Sequence, residues 1–368
     1  MNEFLIGLMS GTSADGIDAA LVDFTPAPQL HSSHFLAYTP DLRERILQVA
    51  AASYSSDPVD AMGTLDRELG EWFARAAEEL MQKAGIDASR VRAIGSHGQT
   101  VRHRPGGRHP FTLQIADPNL IAARSGITVV ADFRRRDMAY GGQGAPLVPA
   151  FHRAVFASPH ESRAIVNIGG IANVTVLPEG GQRVTGFDTG PGNVLLDIWS
   201  SMNLNAPHDD GGEYAASGHL DPELLHVLLA DAYFAAPPPK STGREHFNAV
   251  WLERQVHNAR LAAADVMATL VELTAQTIHD AIARHASGTA RVLVCGGGTH
   301  NRHLMQRLRF LFGNVPVEST EKYGIHPDWV EAMAFAWLAR ETLSGRPGNL
   351  PDVTGASQAS VLGAIYPV

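Results

Sequence analysis

Glycine-rich turns carry the residues with the clearest capacity for chemistry. The stretch from residue 11 to residue 18 offers backbone N–H groups, two hydroxyls and two carboxylates in one short segment. N–H groups and hydroxyls hold phosphate oxygens, and a carboxylate holds Mg²⁺ through its waters. The pattern is equally typical of a plain hairpin with an exposed Asp-Gly turn. The candidate nucleotide-binding residues are Gly11, Thr12, Ser13, Ala14, Asp15, Gly16, Ile17 and Asp18, with Asp15 and Asp18 as candidate metal ligands.

Two later turns repeat this chemistry. The segment 167–173 reads as a second hairpin at the matching place in the second half of the chain, which favours a phosphate clamp formed by both halves. The segment 295–301 follows a strand, and its consecutive glycines leave room for a flat adenine; a tight strand–helix turn explains them equally well. The candidate residues here are Asn167, Gly169, Gly170, Gly296, Gly297 and Gly298.

Several other kinds of site are not indicated. No P-loop or G-x-G-x-x-G motif occurs, and none of the three lysines, Lys83, Lys240 and Lys322, follows a glycine-rich loop. A net charge of −9 does not suit nucleic-acid binding. The single cysteine, Cys295, excludes an internal disulfide or a cysteine-rich zinc site and reads as buried. No signal peptide or membrane helix is recognised, so we expect a cytoplasmic protein without membrane or nucleic-acid partners.

The elements that position these turns follow one pattern twice. Each half begins with a glycine-turned hairpin and a third strand, and then alternates helices and strands, which predicts two similar α/β domains with a cleft between them. We predict a first domain of residues 1–133 with about 355–368, and a second of 134–354. Other expectations are a long helix over about 249–285, a last helix over 327–343, and loops at 203–218 and 237–239.

Six blocks of the sequence, taken together, narrow this picture: 9–18, 96–100, 132–134, 167–173, 186–193 and 295–298. They resemble the anhydro-N-acetylmuramic acid kinases, which belong to the hexokinase, actin and heat-shock-protein superfamily. The matching blocks extend over essentially the whole chain. The resemblance implies a two-domain, ribonuclease H-like fold of the actin/hexokinase type with an interdomain cleft, and it implies ATP and Mg²⁺ as cofactors. It also implies a homodimer, although nothing in the sequence indicates the interface.

The family reaction converts 1,6-anhydro-N-acetylmuramic acid, ATP and water into N-acetylmuramic acid 6-phosphate and ADP, during recycling of peptidoglycan. The resemblance places the catalytic base at Asp188, before a Gly-Pro-Gly turn, where a plain turn or N-cap aspartate is the alternative. It also places a supporting carboxylate at Glu331, which as a first-turn residue could instead complement the helix dipole. Two other functions stay open: an ordinary sugar kinase acting on a free hydroxyl, and a nucleotide-driven actin- or chaperone-like binding protein.

The remaining candidate sugar contacts are His97, Gln99 and Arg134, together with Asp188 and Glu331. His97 and His103 are six residues apart without an acidic cluster, which argues against a metal site and leaves a sugar contact or a structural role. Arg134 is a candidate partner of the lactyl carboxylate, whereas Arg135 and Arg136 read as solvated.

Overall fold

The structure is a computed structural model that describes residues 4–53, 57–181, 183–257 and 260–368. The chain divides into two compact units: unit 1 comprises Met1–Val155 and Trp329–Val368, and unit 2 comprises Phe156–Asp328. Compared with the division predicted from the sequence, residues 134–155 and 329–354 lie in unit 1. The reason is that a late helix, described below, packs on the first strands.

Unit 1 is built on a seven-stranded sheet with the order β12-β6-β4-β1-β2-β3, with β5 paired to β4. The strands β1 and β2 form the predicted hairpin, and β3 continues it antiparallel, whereas β4 and β6 run parallel to β1. The strand bounds are β1 Phe4–Ser10, β2 Gly16–Asp23, β3 Gln29–Ala37, β4 Val91–Arg104, β5 Phe111–Ile115, β6 Val129–Ala131 and, at the far end of the chain, β12 Ala364–Tyr366.

Unit 2 is built on a five-stranded sheet with the order β11-β10-β7-β8-β9. The strands β7, β8 and β9 are antiparallel neighbours, and β10 and β11 run parallel to β7. The bounds are β7 Arg163–Ile168, β8 Ile171–Leu177, β9 Thr185–Pro191, β10 Arg291–Cys295 and β11 Val317–Ser319. Both units therefore share an antiparallel three-strand meander followed by parallel strands, which confirms the α/β, ribonuclease H-like fold class predicted from the sequence.

Helices cover these sheets, and capping residues mark the ends of several of them. Thr39 accepts the N–H of Leu42 at the start of the first helix, and Gly126 ends the third in a left-handed conformation. The helices are α1 Pro40–Ala51, α2 Pro58–Ala84, α3 Pro118–Ser125, α4 Arg135–Ala139, α5 Val148–Phe156, α6 Val194–Leu204, α7 Glu213–Ser217, α8 Pro222–Leu229, α9 Ala232–Ala235, α10 Ala249–Val256, α11 Ala263–His285, α12 Arg302–Phe312, α13 Val330–Leu343 and α14 Pro351–Thr354.

Two expectations about helices are wrong. The single helix over 249–285 is two helices, α10 and α11, and residues 258–259 between them lie outside the described residues. The loop over 203–218 contains the end of α6, a 3-10 turn and α7, because the Asp209 carboxylate accepts the N–H groups of Tyr214 and Ala215 at 2.9 Å each. This capping carboxylate outweighs the neighbouring Gly pair. The last predicted helix begins as a 3-10 turn over Pro327–Trp329 and continues as α13.

The helix α13 approaches the sheet of unit 1 so closely that only glycine fits beneath it. A Cβ at Gly7 would collide with the carbonyl oxygen of Ala332, and one at Gly95 would collide with that of Phe335. The helix is buried along most of its length. Its first turn, which includes Glu331, is therefore fixed against β1 and β4.

Candidate functional site

In unit 1, the turn between β1 and β2 exposes only part of the predicted phosphate-binding segment. Thr12 and Asp15 are exposed, and Gly11 and Ser13 are half-buried, so their N–H groups and hydroxyls face an accessible region. The turn is closed by the bond from Ala14 N–H to the Gly11 carbonyl (3.2 Å) and by that from Ser13 Oγ to Asp15 Oδ1 (2.9 Å). The buried members Ala14, Gly16 and Ile17 have packing roles instead.

Asp15 and Asp18 are the candidate metal ligands. Burial raises the pKa of the Tyr38 phenol, and the negative charges of Asp15 and Asp18 add to that rise. Both carboxylates therefore lie in the region of Tyr38. Within the described ranges, no group of three or more His, Cys, Asp or Glu side chains is arranged to hold a metal ion. Two carboxylates, one of them exposed, suit a hard cation such as Mg²⁺, which keeps several waters and takes its other ligands from a bound phosphate.

Gln99 lies behind this turn. Its Oε1 is 2.7 Å from Ser10 Oγ, and its Nε2 donates to the Gly11 carbonyl at 3.0 Å, while its side chain is buried. Tyr38 donates to Ser10 Oγ from the other side at 3.2 Å. Through these hydrogen bonds, Gln99 fixes the conformation of the candidate phosphate-binding turn.

His97 and Arg134 form a fixed pair in unit 1. Arg134 Nη2 lies 2.8 Å from His97 Nε2, and Arg134 Nη1 donates to the Gly144 carbonyl at 2.9 Å. Because arginine only donates, His97 accepts at Nε2, and its neutral ring carries the proton on Nδ1. Burial, then the Arg134 charge, holds the pKa of His97 well below its usual range. The imidazole is therefore neutral at physiological pH.

Glu331 completes this group of charges. Burial lowers the pKa of Arg134 to about 10, and the charges of Glu331 and Asp137 oppose that shift. Burial also raises the pKa of Glu331, which the Arg134 charge opposes. Arg134 therefore stays cationic at neutral pH, and His97 packs on the Phe335 ring of α13 at 4.7 Å between centroids. The predicted residues His97, Arg134 and Glu331 are thus brought together.

His103 and the neighbouring arginines take other positions. His103 Nδ1 is 3.1 Å from Thr112 Oγ1, and burial lowers its pKa. Arg135 and Arg136 are exposed, as expected from the sequence. The Arg134 charge adds to the lowering of the His103 pKa, so His103 lies near the group formed by His97, Arg134 and Glu331.

A cavity of about 240 Å³ opens beside His97 in unit 1, next to the middle of β4 and the carboxyl end of β6. Three of its lining residues have a positive φ, namely Gly98 (73°), Ala116 (128°) and Asp132 (57°). Backbone in such sparsely populated regions persists where the surrounding structure imposes it, and it is concentrated at functional sites. Burial also raises the pKa of Asp132. No motif in the sequence predicts this strained rim.

In unit 2, the two glycine turns meet. A Cβ at Gly296 would collide with Asn167 Oδ1, and one at Gly298 would collide with Ile168, so both turns depend on missing side chains. Gly297 and Gly169, in contrast, have open space where a Cβ would point, apart from contacts at 3.8 and 3.6 Å. The predicted residues Asn167, Gly169, Gly170, Gly296 and Gly297 therefore form one accessible backbone surface, which fits a flat base or a phosphate group. Gly298 is buried against Ile168 instead.

A row of polar side chains extends from these turns across the sheet. Asn167 pairs with Asn173, and Asn173 pairs with Asp188, on the adjacent strands β7, β8 and β9. Directly paired residues of antiparallel strands point to the same face of the sheet. The strand register therefore puts Asp188 on the same face as the candidate nucleotide-binding Asn167. Asn173, the last residue of the second glycine-turned hairpin, is a further functional candidate that this register adds.

Asp188 is held by a segment of chain that follows α9. The N–H of Thr242 donates to Asp188 Oδ2 at 3.0 Å, the Tyr233 hydroxyl donates to the Asp188 carbonyl at 2.8 Å, and the N–H of Asp188 donates to the Lys240 carbonyl at 3.2 Å. Burial raises the pKa of Asp188 to about 6; the Thr242 N–H opposes the shift, and the Glu245 charge adds to it. Such a carboxylate is ionised at neutral pH and is a stronger base than an ordinary aspartate.

The segment Lys240–Glu245, which no sequence motif indicated, is thus part of the site. Its only signal in the sequence is a run of small and charged residues, Lys-Ser-Thr-Gly-Arg-Glu, after three consecutive prolines. A Cβ at Gly243 would collide with the Glu245 carboxylate, so this glycine lets that side chain fold back toward Asp188.

Comparisons with known proteins identify the family of this kinase-like chain. A family model described as anhydro-N-acetylmuramic acid kinase matches residues 3–368. The anhydro-N-acetylmuramic acid kinase of Coxiella burnetii (strain Dugway 5J108-111) is 51% identical over 365 residues, covering 99% of this chain and 97% of the relative. That of Xanthomonas campestris pv. campestris (strain 8004) is 52% identical over 366 residues, covering 98% and 97%. The chain belongs to the anhydro-N-acetylmuramic acid kinase family, and it is an ATP-using kinase.

Among solved structures, the activator of the 2-hydroxyisocaproyl-CoA dehydratase from Clostridium difficile with bound ADPNP aligns with a TM-score of 0.46 at 12% identity, covering 93% of this chain and 97% of that one. No helix of the described residues is both long and apolar enough to cross a membrane.

Proposed function

We propose that this kinase hydrolyses the 1,6-anhydro bridge of 1,6-anhydro-N-acetylmuramic acid and phosphorylates the oxygen that the bridge releases. The products are N-acetylmuramic acid 6-phosphate and ADP. The observation that carries the proposal is the Asp188 carboxylate, which is fixed by the Thr242 N–H, has a pKa raised to about 6, and shares a sheet face with Asn167.

The proposed reaction needs one base. Asp188 takes a proton from a water that attacks C1 on the face opposite O6, as in inverting glycoside hydrolysis. The C1–O6 bond breaks, and O6 bonds to the γ-phosphorus of ATP as the bond to ADP breaks. Because the phosphoryl group captures O6, no general acid is required to protonate it, and the phosphoryl transfer depends mainly on positioning and charge neutralisation.

We assign the sugar contacts to the charged group of unit 1. Arg134 remains cationic and is fixed by His97 and the Gly144 carbonyl, so it suits the lactyl carboxylate of the sugar. Glu331 supports the arginine through its charge and offers an acceptor to a sugar hydroxyl. The neutral His97 holds Arg134 in place.

We assign ATP to the accessible residues of the first turn, Gly11–Ser13, and to the glycine surface formed by 169–170 and 296–297. Asp15 and Asp18 are the proposed Mg²⁺ ligands. The ion supplies positive charge to the phosphates during transfer. By the same reasoning we propose a role in peptidoglycan recycling in the cytoplasm, and a homodimeric state that light scattering can test.

The decisive experiment follows the fate of water. The protein is incubated with Mg-ATP and the anhydro sugar in ¹⁸O-water, the anomeric proton is followed by NMR, and the product is analysed by mass spectrometry. We expect loss of the bridge and one ¹⁸O at C1. ADP formation with an intact bridge would instead identify an ordinary sugar kinase, in which Asp188 deprotonates a free hydroxyl.

A pair of variants tests the base itself. Asp188→Asn should lower turnover by at least about 10³-fold while nucleotide binding, measured by calorimetry, stays within about twofold. Asp280→Asn, an aspartate of α11 in the same unit, is the matched control and should keep normal turnover. Turnover in Asp188→Asn similar to that of the control would refute the assignment.

A further inference from the structure

Arg244 lies against the second glycine turn. A Cβ placed on Gly170 would be 3.7 Å from Arg244 Nη2, so the guanidinium is directly next to the backbone of this turn. Arg244 is exposed, which leaves the guanidinium accessible to a ligand. It belongs to the same short segment as Thr242, which holds the Asp188 carboxylate.

The segment that carries Arg244 is anchored at both ends. On one side, Lys240 Nζ donates to the Tyr233 carbonyl at 3.1 Å and lies 4.6 Å from the centre of its ring. On the other side, His246 Nε2 is 3.0 Å from Asp231 Oδ2, and Phe247 is fully buried. Its position beside Gly170 is therefore set by the fold of unit 2.

The same anchoring reaches the backbone of Arg244. The Nδ2 of Asn248, the residue that caps α10, donates to the Arg244 carbonyl at 3.2 Å. The N-cap of a helix is a fixed point of the chain, because its side chain also satisfies a helical N–H. The backbone of Arg244 is thus tied to the start of α10, while its side chain extends toward the glycine turn.

Within the described residues, the Arg244 guanidinium forms no ion pair. The Arg244 charge acts on the buried carboxylate of Asp197. Burial raises the pKa of Asp197 to about 6, and the charges of His208 and Arg244 oppose that rise only in part. An arginine fixed beside an open glycine turn and without a paired carboxylate is suited to bind an anion.

We propose that Arg244 binds the terminal phosphate of ATP, so that one segment positions both the base Asp188 and a phosphate-binding arginine. This inference rests on the proposed function, because it takes the Gly169–Gly170 turn as part of the nucleotide site. Arginine suits this role because its planar fork of N–H donors matches two phosphate oxygens and stays charged at all relevant pH values. In enzymes that hydrolyse nucleotides, an arginine that contacts the transferred phosphoryl group stabilises the negative charge that develops on this group.

The test separates binding of the terminal phosphate from binding of the rest of the nucleotide. Calorimetry measures the affinity for AMP-PNP and for ADP in the full chain with Mg²⁺, for the wild type, Arg244→Gln, Arg244→Lys and the control Arg254→Gln. Arg254 is an exposed arginine of α10 in the same unit. We expect Arg244→Gln to lose at least about tenfold in affinity for AMP-PNP, with the affinity for ADP unchanged within about twofold, and Arg244→Lys to recover part of the loss.

Either of two results would overturn the inference: unchanged affinity for AMP-PNP in Arg244→Gln, or an equal loss for ADP and AMP-PNP. Thermal unfolding checks that Arg244→Gln is folded, which we expect because the Arg244 side chain is exposed. Failure of the proposed function is a separate outcome. A wild-type protein that binds AMP-PNP through Arg244 but leaves the 1,6-bridge intact would refute the ring-opening reaction and keep the phosphate contact.

Discussion

The behaviour of Asp188 depends on a balance between burial and its neighbours. Burial and the Glu245 charge favour the protonated acid, while the Thr242 N–H and the Lys240 charge favour the carboxylate. The pKa of about 6 that results lies just below physiological pH. A base is most effective when its pKa is near the working pH, provided that it is still ionised. The surroundings of Asp188 meet both conditions.

This balance predicts the acidic side of the pH profile. Because the base must be deprotonated, kcat/KM should fall below about pH 6, near the raised pKa of Asp188. Glu245→Gln removes a nearby negative charge, so it should lower the pKa of Asp188 and move this limb to lower pH. Steady-state kinetics between about pH 4.5 and 8 provide the measurement, with the exposed Glu253→Gln as the control. A wild-type profile that stays flat down to about pH 4.5, as for an aspartate with the ordinary value of 3.8, would contradict the assignment.

The same shift predicts that the base reduces stability. The pKa of Asp188 is about 6 in the folded protein and 3.8 in an unfolded chain, so the folded state binds more protons between these values. Its contribution to the free energy of unfolding therefore decreases as the pH rises through this window, and the full loss is present at about pH 7. Asp188→Asn should stabilise the protein by about 1 to 2 kcal/mol at about pH 7 and have little effect near pH 3.5.

Thermal or urea unfolding at the two pH values measures this effect. Asp280→Asn, for which no such gain is expected, is again the comparison. A destabilised Asp188→Asn at neutral pH would show that the hydrogen bond from Thr242 to the charged carboxylate outweighs its burial.

At the scale of elements, the contact of α13 with β1 and β4 positions Glu331. The glycines at positions 7 and 95 let the helix backbone approach the strands, and no side chain has room there. Interiors pack at high density, so an added methyl group forces the backbone to move. We expect this helix to be the least tolerant part of unit 1.

Two glycine-to-alanine variants test this close approach. Gly95→Ala should destabilise the protein by about 3 kcal/mol or more and lower activity, because α13 and with it Glu331 must shift. Gly63→Ala is the control: Gly63 lies in α2 and a Cβ there would meet nothing within 4 Å, so alanine should stabilise by about 0.5 to 1 kcal/mol. Equal melting temperatures of the two variants would contradict the role given to the α13 contact.

Elements with a local signal were predictable, and elements that depend on tertiary contacts were not. The glycine-turned hairpin at the start of each half was predicted and is present, because its signal lies in a few consecutive residues. The pairing of His97 with Arg134, in contrast, joins residues 37 positions apart, and no local pattern reports such a distance. The Lys240–Glu245 segment was missed because its role depends on packing beside Asp188. Gln99 was predicted as a sugar contact, and that prediction stays untested; its bonds to Ser10 and Gly11 join residues nearly 90 positions apart, which no local pattern reports.

At the scale of the whole molecule, unit 2 is a continuous segment inserted into unit 1. It has a hydrophobic core of its own, which extends from Ala164 to Val317 and is centred on α11. A segment with its own sheet and core can fold without the rest of the chain. The proposed base Asp188, its supporting segment and the glycine surface all lie within it.

The fragment 156–328 should therefore fold alone. We expect a cooperative thermal transition by circular dichroism and dispersed amide signals by NMR, together with binding of AMP-PNP weaker than that of the full chain. The full chain with Leu270→Ala, a fully buried core residue of α11, should be destabilised by about 2 to 5 kcal/mol, and the same change in the fragment should lower its melting temperature. A fragment that melts gradually, without a transition, would show that unit 2 depends on unit 1.

The late position of α13 has a consequence for biosynthesis. The ribosome releases β1 and β4 first, yet the helix that covers Gly7 and Gly95 begins only at Val330, after the whole of unit 2. Domains generally fold as units during translation, so the inserted segment can reach its native state while the opening strands still lack their cover. A nascent chain stalled before residue 330 would thus carry a folded inserted segment, with the proposed base Asp188, and an incomplete, aggregation-prone sheet in unit 1. Such a chain should be a strong chaperone client.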